Sequence, residues 1–509
     1  MPFVSLADAR APLTLAIDAG TSSVRALAFD RDGNAISASE EQIPYDIDTT
    51  PDGGATFPAK RLFNLLVRAV DGCLARLGEE APEIAAVGTT SFWHSLLGLD
   101  DAGEPLTPIY YWADTRSGAE AAALRQTLDA AAIWQRTGCR LHPSYWPAKL
   151  RWLRKTDPTT FRRVAHWVSF PEYALGRLCT PNASAVTICM ASGTGLLDVH
   201  ALVWDEEILD LCGIAAGSLS PLVDLGPPAC LRAGFARRWP ALAGAAWFPA
   251  LGDGACANIG SGAIGPSCVA LTVGTSAAMR LILPRAPGTG WEVPPGLWAY
   301  RLDRQRAVLG GALSNGGNLL RWIWETTGTG RDSAAMAAAA ALPPDATGLT
   351  LLPFLAGERS PGWYHDAHGV FAGVTLATEP RHLIRAGMEA VAYRLAAIYE
   401  ALAPLASPAH AIVASGGAIL GMPAWLQITA DVLGHDLLAI DPSDETTARG
   451  AALVAAAEVG LIPALDDDPE IIVGATRFVA DAGAHAAYRA GRERQARLER
   501  VLVQAGEMA

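Results

Sequence analysis

The sequence predicts an α/β protein built as two halves on one plan. Three observations lead there. Short apolar runs of strand length end in glycine- or aspartate-containing turns. Between them lie longer stretches with apolar residues at helical spacing. A strand-like run followed by Gly-Thr-Ser and a second run occurs twice, at Gly20-Thr21-Ser22 and at Gly274-Thr275-Ser276. The chain has 509 residues, 50% hydrophobic and 18% charged, enough for two large domains or three smaller ones and unlike a disordered chain.

The elements follow in order. Residues 13–17 (LTLAI), 24–29 (VRALAF) and 35–39 predict three strands. The turns between them are Asp18 to Ser23 and Arg31-Asp32-Gly33-Asn34, so the three should form an antiparallel meander. Residues 58–77 predict a helix, with Leu62, Leu65, Leu66 and Ala69 on one face. Residues 84–89 predict a strand, with residues 96–99 as its neighbour. In the second half, 268–273 and 277–283 predict a strand pair and 411–414 a further strand ending in Ser415-Gly416-Gly417. Helices are expected at 423–433, where proline stands near the start, at 446–457 and at 492–503. The Arg-Glu mixture after Arg489 reads as a solvated helix face, and 284–295 as a surface loop. The main boundary falls near 245–260, giving domains 1–255 and 256–509.

Composition excludes several functions. Lys plus Arg is 39 against 52 for Asp plus Glu, a net charge of −13 with no basic block, which argues against nucleic-acid binding. No apolar run reaches the roughly 18 residues of a membrane span, and the first residues lack the order of a signal peptide. None of the eight cysteines forms a Cys-x-x-Cys pair, so they are expected reduced in a cytoplasmic protein. The only lysines are Lys60, Lys149 and Lys155, and none stands in a Gly-Lys-Ser/Thr sequence, so there is no P-loop.

Several motifs carry chemistry. In Asp18-Ala19-Gly20-Thr21-Ser22-Ser23, backbone N–H groups and hydroxyls can hold phosphate oxygens, and the carboxylate suits hydrated Mg²⁺; an ordinary hairpin turn is the alternative. Gly252-Asp253-Gly254-Ala255-Cys256-Ala257 fits G-x-G-x-x-A, but no acidic residue follows about 20 positions on, so a dinucleotide site is rejected. Either Asp253 works on a substrate or it is a turn aspartate. Trp93-His94 and Asp114-Thr115-Arg116 suit a polyhydroxylated ligand, with a core histidine and a surface ion pair as alternatives. His365 and His368 lie in a Pro-Gly loop without a third ligand, which argues against zinc.

Together DAGTSS, SFWHSLLGLD, YYWADTRSG, TGCRLHPSYWPAKLRWL, ASGTGLLD, LGDGACANIG, LTVGTSAAMR, GERSPGWYHDAHGVFAGVTL and VASGGAILGMPAWLQITADVLG, in this order, resemble the FGGY family of carbohydrate kinases over nearly the whole chain. Within it, WHSLLGLD, WADTRS and the His-Pro stretch ending in KLRWL are most similar to gluconate kinases. The resemblance implies a two-domain fold of the actin and hexokinase (ribonuclease H-like) type, with ATP and sugar meeting in the cleft. It implies nucleotide contacts at Gly20, Thr21, Ser22, Gly274, Thr275, Gly310, Gly311, Gly416 and Gly417. Asp253 matches the catalytic aspartate, and Asp18 with Asp253 the Mg²⁺ side. Trp93, His94, Asp114 and Arg116 match the sugar side, where relatives often carry Met-His rather than Trp-His.

The implied reaction moves the γ-phosphoryl of ATP to a hydroxyl of a sugar acid or sugar, D-gluconate to 6-phosphogluconate first among them. An anionic substrate in an acidic protein needs its own cation, and Arg116, then Lys149, are the expected partners. The alternative for Lys149 is the wet face of the amphipathic helix AKLRWLRK. Kinases for xylulose, ribulose or glycerol are the near rivals. An actin- or chaperone-like ATPase and a sugar sensor are the distant ones. No partner beyond the small molecule is expected, and a homodimer is compatible with the sequence without being read from it.

Overall fold

The computed structural model describes residues 3–78, 82–180, 185–331, 333–441, 445–466 and 475–504. The first half opens with β1 (Leu13–Ala19), β2 (Ser23–Phe29) and β3 (Glu41–Pro44), paired antiparallel in sequence order. Helix α1 (Ala59–Leu77) crosses back and delivers β4 (Ile84–Ser91) parallel to β1. The helix forms because Leu62, Phe63, Leu66, Val70 and Cys73 recur at helical spacing and are all buried on the sheet. Truncating Leu62 to Ala would cost about 2–5 kcal/mol. A long insertion containing α2 (Trp146–Thr156) precedes β5 (Ala246–Trp247) and β6 (Leu251–Gly252), both parallel to β4. The sheet order is β5–β4–β1–β2–β3.

Helix α3 (Asp253–Gly260) leads into the second half, where β7 (Cys268–Val273), β8 (Ala277–Pro284), β9 (Trp298–Arg301) and β10 (Arg306–Leu313) come first. There follow α4 (Gly317–Thr327), the long α5 (Pro380–Leu402), β11 (Ala411–Ser415), the short α6 (Gly417–Leu420), α7 (Pro423–Leu433) and β12 (Leu437–Ala439). Last come α8 (Thr446–Glu458), β13 (Thr476–Phe478) and α9 (Ala482–Glu499). The order β9–β10–β8–β7–β11–β12–β13 repeats the first plan: β7 pairs antiparallel with β8 and β8 with β10, α5 intervenes, and β11 returns parallel to β7. The repeat suggested by the two Gly-Thr-Ser turns is thus a repeat of topology.

Four expectations need correction. Residues 35–39 form only isolated bridges, and the third strand is at 41–44. Asp30 draws the turn tight through the N–H groups of Asp32 and Asn34, and Ser39 donates its hydroxyl to Ile36 instead of extending a ladder. The short strand Leu97–Leu99 pairs with His166–Val168 and not with β4. The last helix starts ten residues earlier than 492, at Ala482, where the Asp481 carboxylate caps the N–H of Ala484. It is solvated on one face only: Arg489, Glu493 and Arg497 are exposed, while on the other Glu499 pairs with Arg394 and Gln495 donates to the carbonyls of Leu351 and Ala390.

Helix α8 belongs by position to the second half but packs on β1 and β4 of the first and on the connecting α3. The contact is close enough that a Cβ on Gly88 would lie 2.0 Å from the Ala451 carbonyl oxygen, and one on Gly450 1.9 Å from that of Cys256. A buried cluster that includes Ala16, Leu27, Ile259, Ile282, Val308, Ala448 and Ala451 lies along this seam. Among the described residues no helix is long and apolar enough to cross a membrane.

Candidate active site

Three neighbouring strands of the first sheet end together. Thr90 of β4 lies in register between Asp18 of β1 and Leu251 of β6, and two residues past Leu251 stands Asp253 at the start of α3. The chain therefore brings its two sequence-predicted aspartates to one edge. Asp18 is buried, and its Oδ1 has no hydrogen-bond partner. Burial pushes its pKa up to about 7, against the pull of Arg25 and with added repulsion from Asp253 and Glu445. Asp253 accepts the Gly254 N–H at 2.7 Å, and burial raises its pKa too, opposed by Arg280 and Arg359.

A cavity of about 160 Å³ opens beside Asp253. Thr21 of the first Gly-Thr-Ser turn and Ser276 of the second both line it. Its walls are aromatic: Trp298 stacks on Tyr300 at 4.2 Å, and Trp93 meets Tyr300 edge-on at 4.9 Å. Trp93 donates its indole N–H to the Cys189 carbonyl at 3.1 Å. It fills the space over Gly252 and Gly254, where added Cβ atoms would come within 1.9 and 2.6 Å of its ring. His94 stands at φ +67° and its Nδ1–H donates to the Gly193 carbonyl, so Nε2 is left as an acceptor facing the Tyr300 hydroxyl at 3.5 Å. Burial lowers its pKa to about 3, keeping the ring neutral.

The cations are not where the sequence suggested. Arg116 is folded back on Asp114, with Nη2 at 2.5 Å and Nε at 3.1 Å from its carboxylate, and lies 4.7 Å over the Trp152 ring. Asp114 also accepts the Ala55 N–H, so the pair ties a loop to a strand; neither residue lines the cavity. Lys149 is buried, not on a wet face, and donates to the carbonyls of Pro143 and Ser144. Burial lowers its pKa to about 7. It pins the segment that presents Ser144 and Tyr145 to the cavity rather than entering the cavity itself. The guanidiniums that do line it are Arg280 of β8 and Arg359, with Arg359 at 4.5 Å over the Trp112 ring. The motif LTVGTSAAMR held the clue to Arg280, an arginine in an otherwise apolar strand. Arg359 stood in GERSP without a role, and Tyr145, Trp298, Tyr300 and Trp363 gave no signal beyond being aromatic.

On the far side of the second turn, backbone meets backbone. The N–H of Gly317 donates to the Gly274 carbonyl at 2.8 Å, and Gly316 and Asn318 donate to that of Thr275. Gly416 precedes α6 at φ +96°, where a Cβ would lie 2.6 Å from the Val273 carbonyl oxygen, and Gly274 and Gly417 face open space. Gly310 and Gly311 lie instead inside the sheet, packed against Trp298 and Ile398. A larger groove of about 1080 Å³ elsewhere holds neither aspartate nor either turn, so size alone does not locate the site.

Two carboxylates at one sheet edge, with both Gly-Thr-Ser turns reaching a small aromatic cavity beside Asp253, suit an ATP-dependent phosphotransferase for a polyhydroxylated acceptor. The chain belongs to the FGGY family of carbohydrate kinases: the models of the family's N-terminal and C-terminal domains match residues 13–260 and 269–459. The gluconokinase of Bacillus subtilis (strain 168) is 29% identical over 479 residues, 90% of each chain. Two solved structures from Lactobacillus acidophilus share the fold at TM-score 0.88 and 24% identity: a gluconate kinase, covering 98% of this chain and 99% of that one, and a ligand-bound xylulose kinase, covering 98% and 100%.

Proposed function

We propose that this kinase phosphorylates D-gluconate to 6-phosphogluconate, with xylulose, ribulose and glycerol as the acceptors to test against it. The observation that carries the reading is the position of Asp253, half-buried at the mouth of an aromatic cavity that both Gly-Thr-Ser turns reach. The similarity to gluconokinases favours gluconate as the acceptor. Asp253 orients the acceptor hydroxyl and takes its proton as the phosphoryl leaves ATP. Its raised pKa suits a base that must hold a proton briefly near neutral pH. Trp93 gives the sugar an apolar wall, and His94, neutral, accepts a hydrogen bond from a hydroxyl at Nε2. Asp114, Arg116 and Lys149 act on the sugar side by fixing the loops around the cavity.

Residues 1–255 supply Trp93 and His94 of the sugar wall, which Trp298 and Tyr300 of the second half complete, and the first phosphate turn, with Gly20, Thr21 and Ser22. Residues 256–509 supply the nucleotide side, with Gly274, Thr275, Gly416 and Gly417; Gly316 and Gly317 replace Gly310 and Gly311 there, because they adjoin the second turn. Asp18 and Asp253 would hold Mg²⁺. The unpartnered Oδ1 of Asp18 and the mutual repulsion of the two carboxylates fit an oxygen-preferring cation. Bound there, the ion supplies charge neutralisation for the phosphoryl group. The test is ADP release with Mg-ATP across gluconate, xylulose, ribulose, glycerol and no acceptor. Stimulation by gluconate above the rest is expected. Release that ignores every acceptor would return the ATPase reading.

A further inference from the structure

Resting on the gluconate reading, one feature of the cavity goes further. Arg280 and Arg359 both line it, and among the described residues neither forms an ion pair within 4.0 Å. Their polar contacts are weak: Arg280 Nη1 to Thr272 Oγ1 at 3.5 Å and Arg359 Nη2 to the Leu313 carbonyl at 3.4 Å. The Nε–H of each is buried without a partner. Guanidiniums stay charged in proteins, and burying one without a matching acceptor is costly unless a ligand supplies it. One carboxylate, Asp253, acts on both, leaving positive charge in the cavity uncompensated. Two other arginines in buried positions have carboxylates against them, Arg394 between Glu358 and Glu499 and Arg385 on Glu389, while the fully buried Arg301 donates to the carbonyls of Val199 and Arg285 instead.

Both arginines are held by their surroundings. Arg280 lies against the residue after Asp253, its Nε 2.7 Å from where a Cβ of Gly254 would be. Arg359 is stacked on Trp112, and its segment is tied down by Ser360 N–H to the Ala312 carbonyl at 3.0 Å, Asn315 to the Gly357 carbonyl at 3.0 Å, and the Glu358–Arg394 pair. Fixed planar donors with free N–H groups are what recognises a carboxylate. We propose that Arg280 and Arg359 together read the carboxylate of an aldonate substrate and so set the choice of a sugar acid over the neutral polyol of the same shape.

The test compares gluconate with D-glucitol, which has CH₂OH in place of the carboxylate, in the full-length wild type, Arg280→Met, Arg359→Met and Arg359→Lys. Calorimetry without ATP reads acceptor affinity, and ADP release reads turnover. Each Met variant is expected to lose gluconate affinity by roughly 10–100-fold, the factor of a charge-assisted hydrogen bond. Its glucitol and ATP affinities should move by less than about threefold, and Arg359→Lys should recover part of the loss. Unchanged gluconate affinity with lost turnover would overturn the assignment, because the arginines would then serve the transferring phosphoryl. Equal losses for both acceptors would overturn it as well. A wild type that neither binds nor phosphorylates gluconate would instead refute the gluconate reading itself, before any variant is compared.

Discussion

Lys149 gives the most direct test of how the cavity is supported. Its ammonium is buried, and its pKa falls from 10.5 to about 7 chiefly through desolvation. That drop corresponds to about 5 kcal/mol of differential interaction. The sign follows from proton binding: between pH 7 and 10.5 the unfolded chain holds this proton and the folded one does not. Stability therefore rises with pH over that window, by about 1.4 kcal/mol per unit. The gain is complete above the unfolded value and absent below the folded one. Lys149→Met removes the titration and leaves the carbonyls of Pro143 and Ser144 short of a donor, at about 1–3 kcal/mol. All other groups titrate in both proteins, so the difference in stability between them isolates Lys149. Measured by thermal unfolding from pH 7.5 to 9.5, wild type should gain roughly 2–3 kcal/mol over the variant, about 2–5 °C in Tm. Parallel pH dependences would show that the ammonium is not desolvated, and would put Lys149 back on a wet helix face.

Asp253→Asn should lower gluconate-dependent turnover by on the order of 10² or more while ATP affinity, read by calorimetry, stays within about threefold; near-normal turnover would remove its assignment as base. Arg116→Met should behave unlike the Arg359 variants. It strands a buried Asp114, costs roughly 1–3 kcal/mol in denaturant unfolding after allowance for Arg116 being 21% exposed, and reduces use of gluconate and glucitol alike. Gly416→Ala places a Cβ at φ +96° against the Val273 carbonyl. It should cost about 2 kcal/mol or more and raise the KM for ATP, leaving gluconate affinity measured without ATP unchanged.

The scaffold was legible because its signals are local. The strands of the two meanders, the helix at 423–433 and the paired Gly-Thr-Ser turns each announce themselves in a few consecutive residues. Asp18 and Asp253 could be picked out for the same reason, since each stands in a glycine turn. The cations could not. Whether Arg116, Lys149, Arg280 or Arg359 faces a ligand depends on which carboxylate or carbonyl lies beside it. Those partners include Asp114 only two residues away, but also carbonyls exposed by a turn and a tryptophan 247 positions off in sequence, Trp112 under Arg359. The last helix was legible on one face only: Arg489, Glu493 and Arg497 are solvated, but Glu499 is brought against Arg394.

Helix α8 carries a consequence for how the molecule is made. The face of β1 and β4 that it covers belongs to the first hundred residues, while the cover begins at Thr446. On the ribosome that face waits, uncapped, through the synthesis of nearly the whole chain. Gly88 and its neighbours meet their partner only when the last elements emerge. A nascent or truncated first half must therefore be shielded by something else, and a chain released before Thr446 ends with its oldest sheet still open.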